Sequence, residues 1–442
     1  MPTIDFITKL LGIKDENITF SGKITKEYKK NILYNVIHGN LSYVPDHCDK
    51  CGCVNENLSI IKYGNKTSDI KLLDCNGNPT IIRLKKQRFL CKHCGCTFSA
   101  RTSLVRPNCY ISRTVKLKIV DQLSMKVSEK DIANMNRVSP STVGRIIDNN
   151  FEAHKPDRKY LPKHLLFDEF NSTKDAKGAM SFLYVNADTH NIEDILESRQ
   201  KPFLKRYFER FSKEARYNVE TVCMDMYSPY MVLVESLFPN AAIIIDRFHV
   251  VQHLNKAFTK TRINTMNTFA TTTMEYKRLK RYWKLLLKDR NELDRVNFRK
   301  FTNFKEWQSE ASVVDLTLEQ NNMIKRNDNV LLQTYEVCQS LRFYIQYRSP
   351  RAFFAEVKKA MKKNISNEMK KALRTILKYR RYIENSMKYE YSNGPIEGIN
   401  NYIKVLKRVA FGYRSFYHFR NRILISKNII KLKTSHREAV AA

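Results

Sequence analysis

The sequence is poor in the residues that make turns. Glycine and proline occur only 12 times each among 442 residues. A sandwich or barrel of many short strands needs both residue types at its turns, so their scarcity favours long helices. A chain of this length corresponds to about three domains. We therefore expect a multidomain protein with a large helical part.

Long hydrophobic runs are also missing. The longest apolar stretches are short, such as Ala241–Ile245, whereas a helix that crosses a membrane needs about 20 apolar residues. The first ten residues lack the basic and then apolar pattern of a signal peptide. The sequence therefore predicts neither secretion nor a membrane partner, and we expect a cytoplasmic protein.

Acidic side chains are in deficit. Lysine and arginine number 78 against 44 aspartates and glutamates, which gives a net charge of +34. Such an excess favours a polyanionic partner, because binding to phosphates releases counterions. Residues 351–380 hold ten basic and two acidic side chains, and residues 401–440 hold ten and one. Either cluster alone fits a solvated helix face, but together they indicate a nucleic-acid-binding protein.

Cysteine is nearly confined to one segment, since eight of the ten lie within residues 48–109. A local cluster in an intracellular chain indicates metal binding rather than disulfides. Two Cys-x2-Cys pairs supply the four thiolates of a closed, structural zinc site, with Cys48, Cys51, Cys91 and Cys94 as the predicted ligands. A further cysteine follows each pair, so Cys53 and Cys96 remain alternative ligands.

Changes in pattern along the chain predict seven segments. They are a helical lead-in (1–40), a zinc-binding ribbon (41–105), a helix-turn-helix DNA-binding domain (106–153), a linker (154–164), the first part of a mixed α/β core (165–264), a helical insertion (265–390) and the C-terminal part of the core with basic helices (391–442).

Residues 113–150 have the pattern of three short helices. Ser128 is a suitable cap for the second helix, although Arg137 stands in the following turn, where a small residue is usual. Three such helices also fit a simple packing unit, but the adjacent cysteines and the charge favour DNA recognition. The predicted contacts to the major groove come from the third helix: Ser141, Thr142 and Arg145.

Acidic residues follow three predicted strands. Asp168, Asp225 and Asp246 each lie at the end of an apolar run. Carboxylates at the ends of neighbouring strands meet at one edge of a sheet and can hold two divalent ions for phosphoryl transfer. Glu397, at the start of a predicted helix, is the best further ligand, and Asp246 is the rival of Asp225 for the second position.

Four motifs follow one another along the chain. They are Asp168-Glu169-Phe170, Cys223-Met224-Asp225-Met226, Asp246-Arg247-Phe248-His249 and Ser392-Asn393-Gly394-x2-Glu397-Gly398-x-Asn400. In this order they resemble the DDE transposases of bacterial insertion sequences, specifically the ISL-three group. Phe411-Gly412-Tyr413-Arg414 and Phe419-Arg420-Asn421-Arg422 are similar to the C-terminal signature of that group. The resemblance covers nearly the whole chain.

The resemblance implies a fold and an activity. The fold is multidomain α+β: a zinc ribbon and a helix-turn-helix, then a ribonuclease-H-like mixed α/β core with a large all-helical insertion. The active site would hold two Mg²⁺ or Mn²⁺ ions on Asp168, Asp225 and Glu397. The activity would be binding of the terminal inverted repeats, DNA cleavage and strand transfer into target DNA. A homodimer is expected on paired ends, associated with the nucleoid.

Several further residues are predicted to support this site. Asp246, His249, Asn393 and Asn400 would position the metal ligands or phosphates, although His249 fits helix packing equally well. Lys407, Arg408 and Arg414 would contact DNA. Trp283 and Trp307 are expected in the core of the insertion, with base stacking as the alternative. Two other functions remain open: an inactive DNA-binding regulator, and a nuclease that cuts without joining.

Overall fold

The computed structural model describes residues 11–319 and 328–430. The chain forms two compact units. The amino-terminal unit comprises Met1–Ala153, Arg408–Phe411 and Asn421–Ala442, and the central unit comprises His154–Lys407 and Gly412–Arg420. The outer ends of two predicted segments, residues 1–10 of the lead-in and 431–442 of the C-terminal part, lie outside the described residues.

The amino-terminal unit contains a five-stranded sheet. Its strands are β1 (Ile18–Lys29), β2 (Ile32–Leu41), β3 (Ile60–Lys71), β4 (Thr80–Cys91) and β5 (Thr97–Ser99). Their order is β1-β2-β4-β3, and β5 pairs with β4. Strand β2 runs parallel to β4, and the other pairs are antiparallel. The buried faces of these strands form the core that carries the cysteine pairs.

The prediction of a helical lead-in over residues 1–40 is wrong for the part described. Strands β1 and β2 form a hairpin across residues 18–41. Lys30 and Asn31, with φ of 51° and 62°, make its two-residue turn, as hairpin twist requires. Only Ile18 and Phe20 are buried along β1. Its remaining polar and charged side chains obscure the alternation that marks a strand.

Three helices follow the sheet in this unit: α1 (Arg113–Gln122), α2 (Glu129–Met135) and α3 (Pro140–Asn150). The Ser128 side chain and Asp131 form a capping box at the start of α2. Arg137 has a φ of 51° in the turn between α2 and α3 and pairs with Asp74. A basic residue thus occupies the turn position where a small one is usual.

The central unit is built on a mixed five-stranded sheet. Its strands are β6 (His164–Asn171), β7 (Met180–Asn186), β8 (Ile192–Leu196), β9 (Thr221–Met224) and β10 (Ala242–Ile245), in the order β10-β9-β6-β7-β8. Strand β7 is antiparallel to β6 and β8, whereas β6, β9 and β10 are parallel. Strands β9 and β10 are almost wholly buried, in agreement with their mainly apolar sequences.

Helices cover this sheet and continue well beyond it. They are α4 (Lys201–Phe208), α5 (Lys213–Tyr217), α6 (Ser228–Leu237), α7 (Arg247–Met266), α8 (Met274–Arg281), α9 (Trp283–Leu287), α10 (Glu310–Glu319), α11 (Val330–Gln346), α12 (Pro350–Ala360), α13 (Asn367–Lys378), α14 (Arg380–Lys388), α15 (Gly394–Val409) and α16 (Phe416–Ser426). A 3-10 turn covers Arg290–Glu292. No helix among the described residues is long and apolar enough to cross a membrane.

The insertion at residues 265–390 is mainly but not wholly helical. A two-stranded antiparallel ribbon, β11 (Arg299–Lys300) and β12 (Trp307–Gln308), interrupts it. The expectation that both tryptophans fill its core is wrong, because Trp283 is 41% exposed and Trp307 is 65% exposed. Smaller aliphatic side chains and other aromatics of α7 and α11–α14 form the core instead.

The predicted linker, residues 154–164, packs on the central unit. The His154 ring lies 2.7 Å from the Glu193 carbonyl oxygen, and the Arg158 guanidinium stacks on the Tyr207 and Phe211 rings. Leu161 is buried in the core. This segment is therefore a fixed part of the unit rather than a free connection.

Two arginines of the C-terminal signature form hydrogen bonds within the fold, and of these Arg422 is buried and Arg420 is partly buried. Arg420 pairs with Asp194, whose side chain is 3% exposed, and also donates to the Ile195 carbonyl. Arg422 is fully buried and donates to the carbonyls of Leu123, Met125 and Val127. These side chains stabilise the fold and are not available to DNA.

We expect Arg420→Ala to destabilise the protein by about 3–5 kcal/mol, because it leaves the Asp194 carboxylate buried without its cationic partner. Urea denaturation measures this loss. Arg414→Ala, at an exposed position in the same region, is the control and should unfold at the wild-type urea concentration. Equal midpoints for both variants would contradict the role given to Arg420.

Candidate functional site

One edge of the central sheet opens into a cavity of about 270 Å³. Its wall is formed by residues from the sheet edge, from the start of α6 and from α7. The chemically active members are Asp168, Glu169, Asp225, His249, His253 and Lys256. Carboxylates, imidazoles and one ammonium group therefore face a single space.

Sheet topology brings the two aspartates to this cavity. Strands β6 and β9 are parallel neighbours, Asp168 lies in the second half of β6, and Asp225 directly follows β9. The carboxyl ends of parallel strands share one edge of a sheet, which is where polar sites form in such folds. Asp246 follows β10 in the same manner and precedes α7.

Asp168 is mostly buried and ordered by hydrogen bonds. The Asn400 amide donates to its Oδ2 at 2.7 Å, and the Glu169 backbone N–H donates to its Oδ1 at 2.7 Å. Burial raises the pKa of Asp168 to about 7, and the nearby negative charge of Asp225 adds to the rise. A cation placed beside this carboxyl group would stabilise its charged form.

His249 lies on the first turn of α7 and pairs with Asp225. Its Nε2 atom is 2.7 Å from Asp225 Oδ1, and this hydrogen bond raises the pKa of the imidazole. The alternative of a helix-packing role does not describe this position, because the ring faces the cavity.

Glu397 lies on the first turn of α15 and groups with different residues than expected. One ligand atom each from Asp246, His249 and Glu397 lie within 4.8 Å of one another. Within residues 11–319 and 328–430, no group formed under this distance joins Glu397 to Asp168 and Asp225. The structure thus places Asp168 and Asp225 in one cavity. Glu397 lies beside His249, which contacts Asp225.

Asn393 connects these two sets of side chains. It is 1% exposed, and its backbone N–H donates to Asp246 at 3.4 Å. Its side-chain amide donates to Asp225 Oδ1 at 3.4 Å and to the Phe167 carbonyl at 3.3 Å. Asn393 and Asn400 belong to the segment that carries Glu397. Their hydrogen bonds fix the positions of Asp168, Asp225 and Asp246.

Glu169 also faces the cavity, although strand alternation predicts that it points away from Asp168. Pairing between β6 and β9 ends at Leu166, so the strand edge beyond it is open. The Glu169 carboxylate accepts hydrogen bonds from Arg199 at 2.5 Å and from the Tyr230 hydroxyl at 3.1 Å.

The other groups that the sequence analysis missed lie on α7. His253 and Lys256 follow His249 by four and seven residues. That spacing places side chains on one face of a helix and is the signal that identifies them once His249 is placed.

The four predicted zinc ligands lie together in the amino-terminal unit. Their sulfur atoms are all within 4.8 Å, with Cys48 to Cys94 and Cys51 to Cys91 at 3.8 Å. Sulfurs at the corners of a tetrahedron with Zn–S bonds near 2.3 Å are separated by about 3.8 Å. The geometry therefore fits zinc, and Cys53 and Cys96 lie outside the group.

Backbone hydrogen bonds stabilise the thiolate form of Cys48. N–H groups of Cys51 and Lys50 point at the Cys48 sulfur and lower the pKa of its thiol to about 6. The thiolate is the form that binds metal. This pattern results from the tight turn that a Cys-x2-Cys pair makes, so it is encoded locally.

The predicted DNA-binding side chains differ in their availability. Ser141 and Arg145 are exposed and Thr142 is half-buried on the first turns of α3, where Arg145 donates to the Thr142 hydroxyl at 3.2 Å. Arg408 and Arg414 are exposed. Lys407 instead donates to the carbonyls of Asn171 and Ser172 at 3.1 and 2.6 Å, so its ammonium supports the end of β6 rather than standing free for a phosphate.

The state of Asp168 predicts an effect on stability. Because the folded protein raises this pKa from its ordinary value near 4 to about 7, the metal-free fold loses stability as the pH rises across that interval. Asp168→Asn removes a penalty of up to roughly 4 kcal/mol above pH 7. Thermal unfolding in chelator should show a higher Tm for the variant at pH 8 and nearly equal values at pH 4. A lower Tm for the variant than for the wild type at pH 8 would contradict the claim that burial destabilises the charged form of Asp168.

The chain matches two known protein families. Residues 165–423 match the family of DDE transposases of the ISL-three group, described as "Transposase". Residues 45–94, which include all four clustered cysteines, match the "zinc-finger of transposase IS204/IS1001/IS1096/IS1165".

Two relatives differ in how much of the chain they resemble. The transposase for insertion sequence element IS1001 of Bordetella parapertussis is 23% identical over 386 residues, which cover 84% of this chain and 86% of that protein. A protein of Lactococcus lactis subsp. lactis named "ATP-dependent protease" is 57% identical over 53 residues. That match spans 12% of this chain and 17% of the relative, so its activity does not transfer. Since the family match covers more than half of the residues, the chain belongs to the DDE transposases of the ISL-three group.

Proposed function

We propose that this protein binds the terminal inverted repeats of its insertion sequence and catalyses metal-dependent DNA cleavage and strand transfer. The observation that carries the proposal is the placement of Asp168 and Asp225 in one cavity, next to the group that contains Glu397. The net charge of +34 supports a DNA substrate.

The core fits a ribonuclease-H-like fold. Three consecutive strands, β6 to β8, form one half of the sheet, and β9 and β10 extend it in parallel from the other side of β6. Asp168 lies on the central strand β6, and Asp225 directly follows the parallel strand β9 beside it.

Asp168, Asp225 and Glu397 would hold two Mg²⁺ or Mn²⁺ ions. Such ions would supply the positive charge that activates an attacking hydroxyl and stabilises the leaving oxygen of an in-line displacement. Asn400 and Asn393 orient Asp168 and Asp225, and His249 holds Asp225 by a 2.7 Å contact. Asp246 remains the alternative to Asp225, because it is the acid that groups directly with Glu397.

The amino-terminal unit would recognise the DNA ends. The four cysteines would bind a structural Zn²⁺, and α1–α3 would act as a helix-turn-helix with Ser141, Thr142 and Arg145 at the bases. Arg408 and Arg414 are further exposed cations for the backbone of terminal or target DNA. Joining requires two ends in one complex, so we propose a homodimer on paired ends, in the bacterial cytoplasm and at the nucleoid.

Incubation of the full chain with paired terminal-repeat duplexes, a target plasmid and Mg²⁺ or Mn²⁺ tests the proposal. The expected result is joined product in metal and bound but uncut DNA in chelator. Cleavage without joining would instead indicate a nuclease. Binding without cleavage in either metal would indicate a DNA-binding regulator on the same fold.

A further inference from the structure

A second cavity lies in the amino-terminal unit, between three neighbouring elements. One wall is the segment from Ser103 to Ile111, named here the 103–111 loop, and the opposite wall is formed by α1 and α3. The volume is about 490 Å³. Thr142 and Arg145, two of the side chains expected to read bases, belong to its lining, so the groove is continuous with the predicted reading surface of α3.

Hydrogen bonds fix the 103–111 loop at both ends. The Arg113 N–H donates to the Leu104 carbonyl at 3.4 Å, and the Cys109 N–H donates to the Arg106 carbonyl at 3.0 Å. The Lys71 N–H at the end of β3 donates to the Tyr110 carbonyl at 2.8 Å. The groove is therefore formed before any partner arrives, which lowers the entropic cost of binding.

The charge of the groove has one sign. Arg106, Arg113, Lys116 and Arg145 line it, and no aspartate or glutamate does. The side-chain amide of Asn149 adds a hydrogen-bond donor at the same wall, whereas the Asn150 amide donates to the Ile146 carbonyl at 2.8 Å. Cations and amides together are the groups that contact phosphate oxygens in protein–DNA complexes.

The floor of the groove is apolar. Leu104, Val105, Leu117, Val120 and Ile146 form it. An apolar floor under a basic rim matches a sugar–phosphate strand, because the deoxyribose carbons contact the floor while the phosphates meet the rim. A free anion would gain nothing from such a floor.

We propose that this groove seats the backbone of one strand of the terminal-repeat duplex, with Arg113 and Lys116 of α1 as phosphate contacts beside the bases read by α3. The 103–111 loop is then a second DNA-binding element, next to the helices. The inference rests on the proposed end binding and adds the site that holds the duplex in register. Backbone contacts position the protein without reading sequence.

Fluorescence anisotropy of the full chain tests the inference, with labelled duplexes of the element's end and of a scrambled sequence, each at several salt concentrations. Lys116→Ala should weaken binding to both duplexes by about tenfold near 0.1 M salt and reduce the slope of log affinity against log salt by about 1. Arg113→Ala should behave in the same way, and Lys116→Arg should restore wild-type binding.

Lys118→Ala is the matched control, since Lys118 is an exposed lysine of the same helix that does not line the groove. It should bind both duplexes as the wild type does. Zinc content equal to that of the wild type verifies that each variant is folded.

Three results would overturn the inference while end binding itself stands. In the first, Lys116→Ala and Arg113→Ala both bind with the wild-type affinity and salt slope. In the second, Lys116→Ala and Lys118→Ala lose the same amount of affinity. In the third, the groove variants lose affinity for the terminal-repeat duplex only. The last would mean base reading rather than backbone contact. Failure of the wild-type chain to prefer its own ends over the scrambled duplex is a different outcome, which removes the proposed function and the inference together.

Discussion

Asp168→Asn is expected to reduce cleavage and strand transfer by at least roughly 10³-fold, the scale on which preorganised charge contributes to catalysis, while end binding stays nearly unchanged. The carboxylate lies in the central cavity, whereas the cysteine cluster and the proposed base-reading helix α3 belong to the amino-terminal unit. Asparagine keeps the size of the side chain, and its one carbonyl oxygen can accept one of the two hydrogen bonds that Asp168 receives from Asn400 and the Glu169 N–H. The substitution therefore removes the charge that a divalent ion requires at the cost of one hydrogen bond.

Gel assays of cleavage and binding on the same preparation measure both quantities. Asp188→Asn, an exposed acid of the same unit that accepts a hydrogen bond from Tyr391, is the charge-matched control and should retain full activity. Asp225→Asn and Asp246→Asn distinguish the two candidates for the second metal-binding carboxylate. We expect cleavage to fall further in Asp225→Asn. Cleavage by Asp168→Asn at the wild-type rate would exclude Asp168 as a ligand, and a parallel loss of end binding would show that the site is misassigned.

Cys48→Ser has the second large expected effect: loss of bound zinc and, with it, of end recognition. Cys48 is 1% exposed in the core of the amino-terminal sheet, and its sulfur is 3.8 Å from that of Cys94. Structural zinc sites contribute about 10–16 kcal/mol in isolated fingers at pH 7, which exceeds the whole stability of most domains. A serine hydroxyl is a poor replacement for the thiolate, so the site should fail.

Zinc per chain by atomic absorption, together with end binding, measures the effect. Cys53→Ser and Cys96→Ser are matched controls, because each cysteine adjoins the site without belonging to the four-sulfur group. Both should keep one zinc ion and bind ends normally. One zinc ion retained by Cys48→Ser, or lost from Cys53→Ser, would mean that the ligand set is different.

Features encoded within a few residues were predictable from the sequence. The Cys-x2-Cys pairs predicted the four clustered cysteines, because each pair forms a local turn. The apolar runs before Asp168 and Asp225 predicted two neighbouring strands. Caps such as Ser128 also depend only on their own helix. Local chemistry and the period of the hydrophobic pattern are sufficient for such assignments.

Features with a weak local pattern or with distant partners were not predictable. The hairpin of β1 and β2 is local, but it buries only two residues of β1, so its alternation is weak. Lys407 resembles any basic helix residue until the carbonyls of Asn171 and Ser172 approach it. The grouping of Glu397 with Asp246 and His249 depends on residues about 150 positions apart, and no local pattern specifies that distance.

The most direct measurement is anomalous diffraction from crystals of the full chain bound to terminal-repeat DNA and Mn²⁺. We expect two manganese peaks in the central cavity, with Asp168 in contact with both, Asp225 with one and Glu397 with the other. Manganese held by Asp246 and His249 without Asp168, or an occupied DNA complex with no manganese near Asp168 and Asp225, would contradict the assignment of these acids.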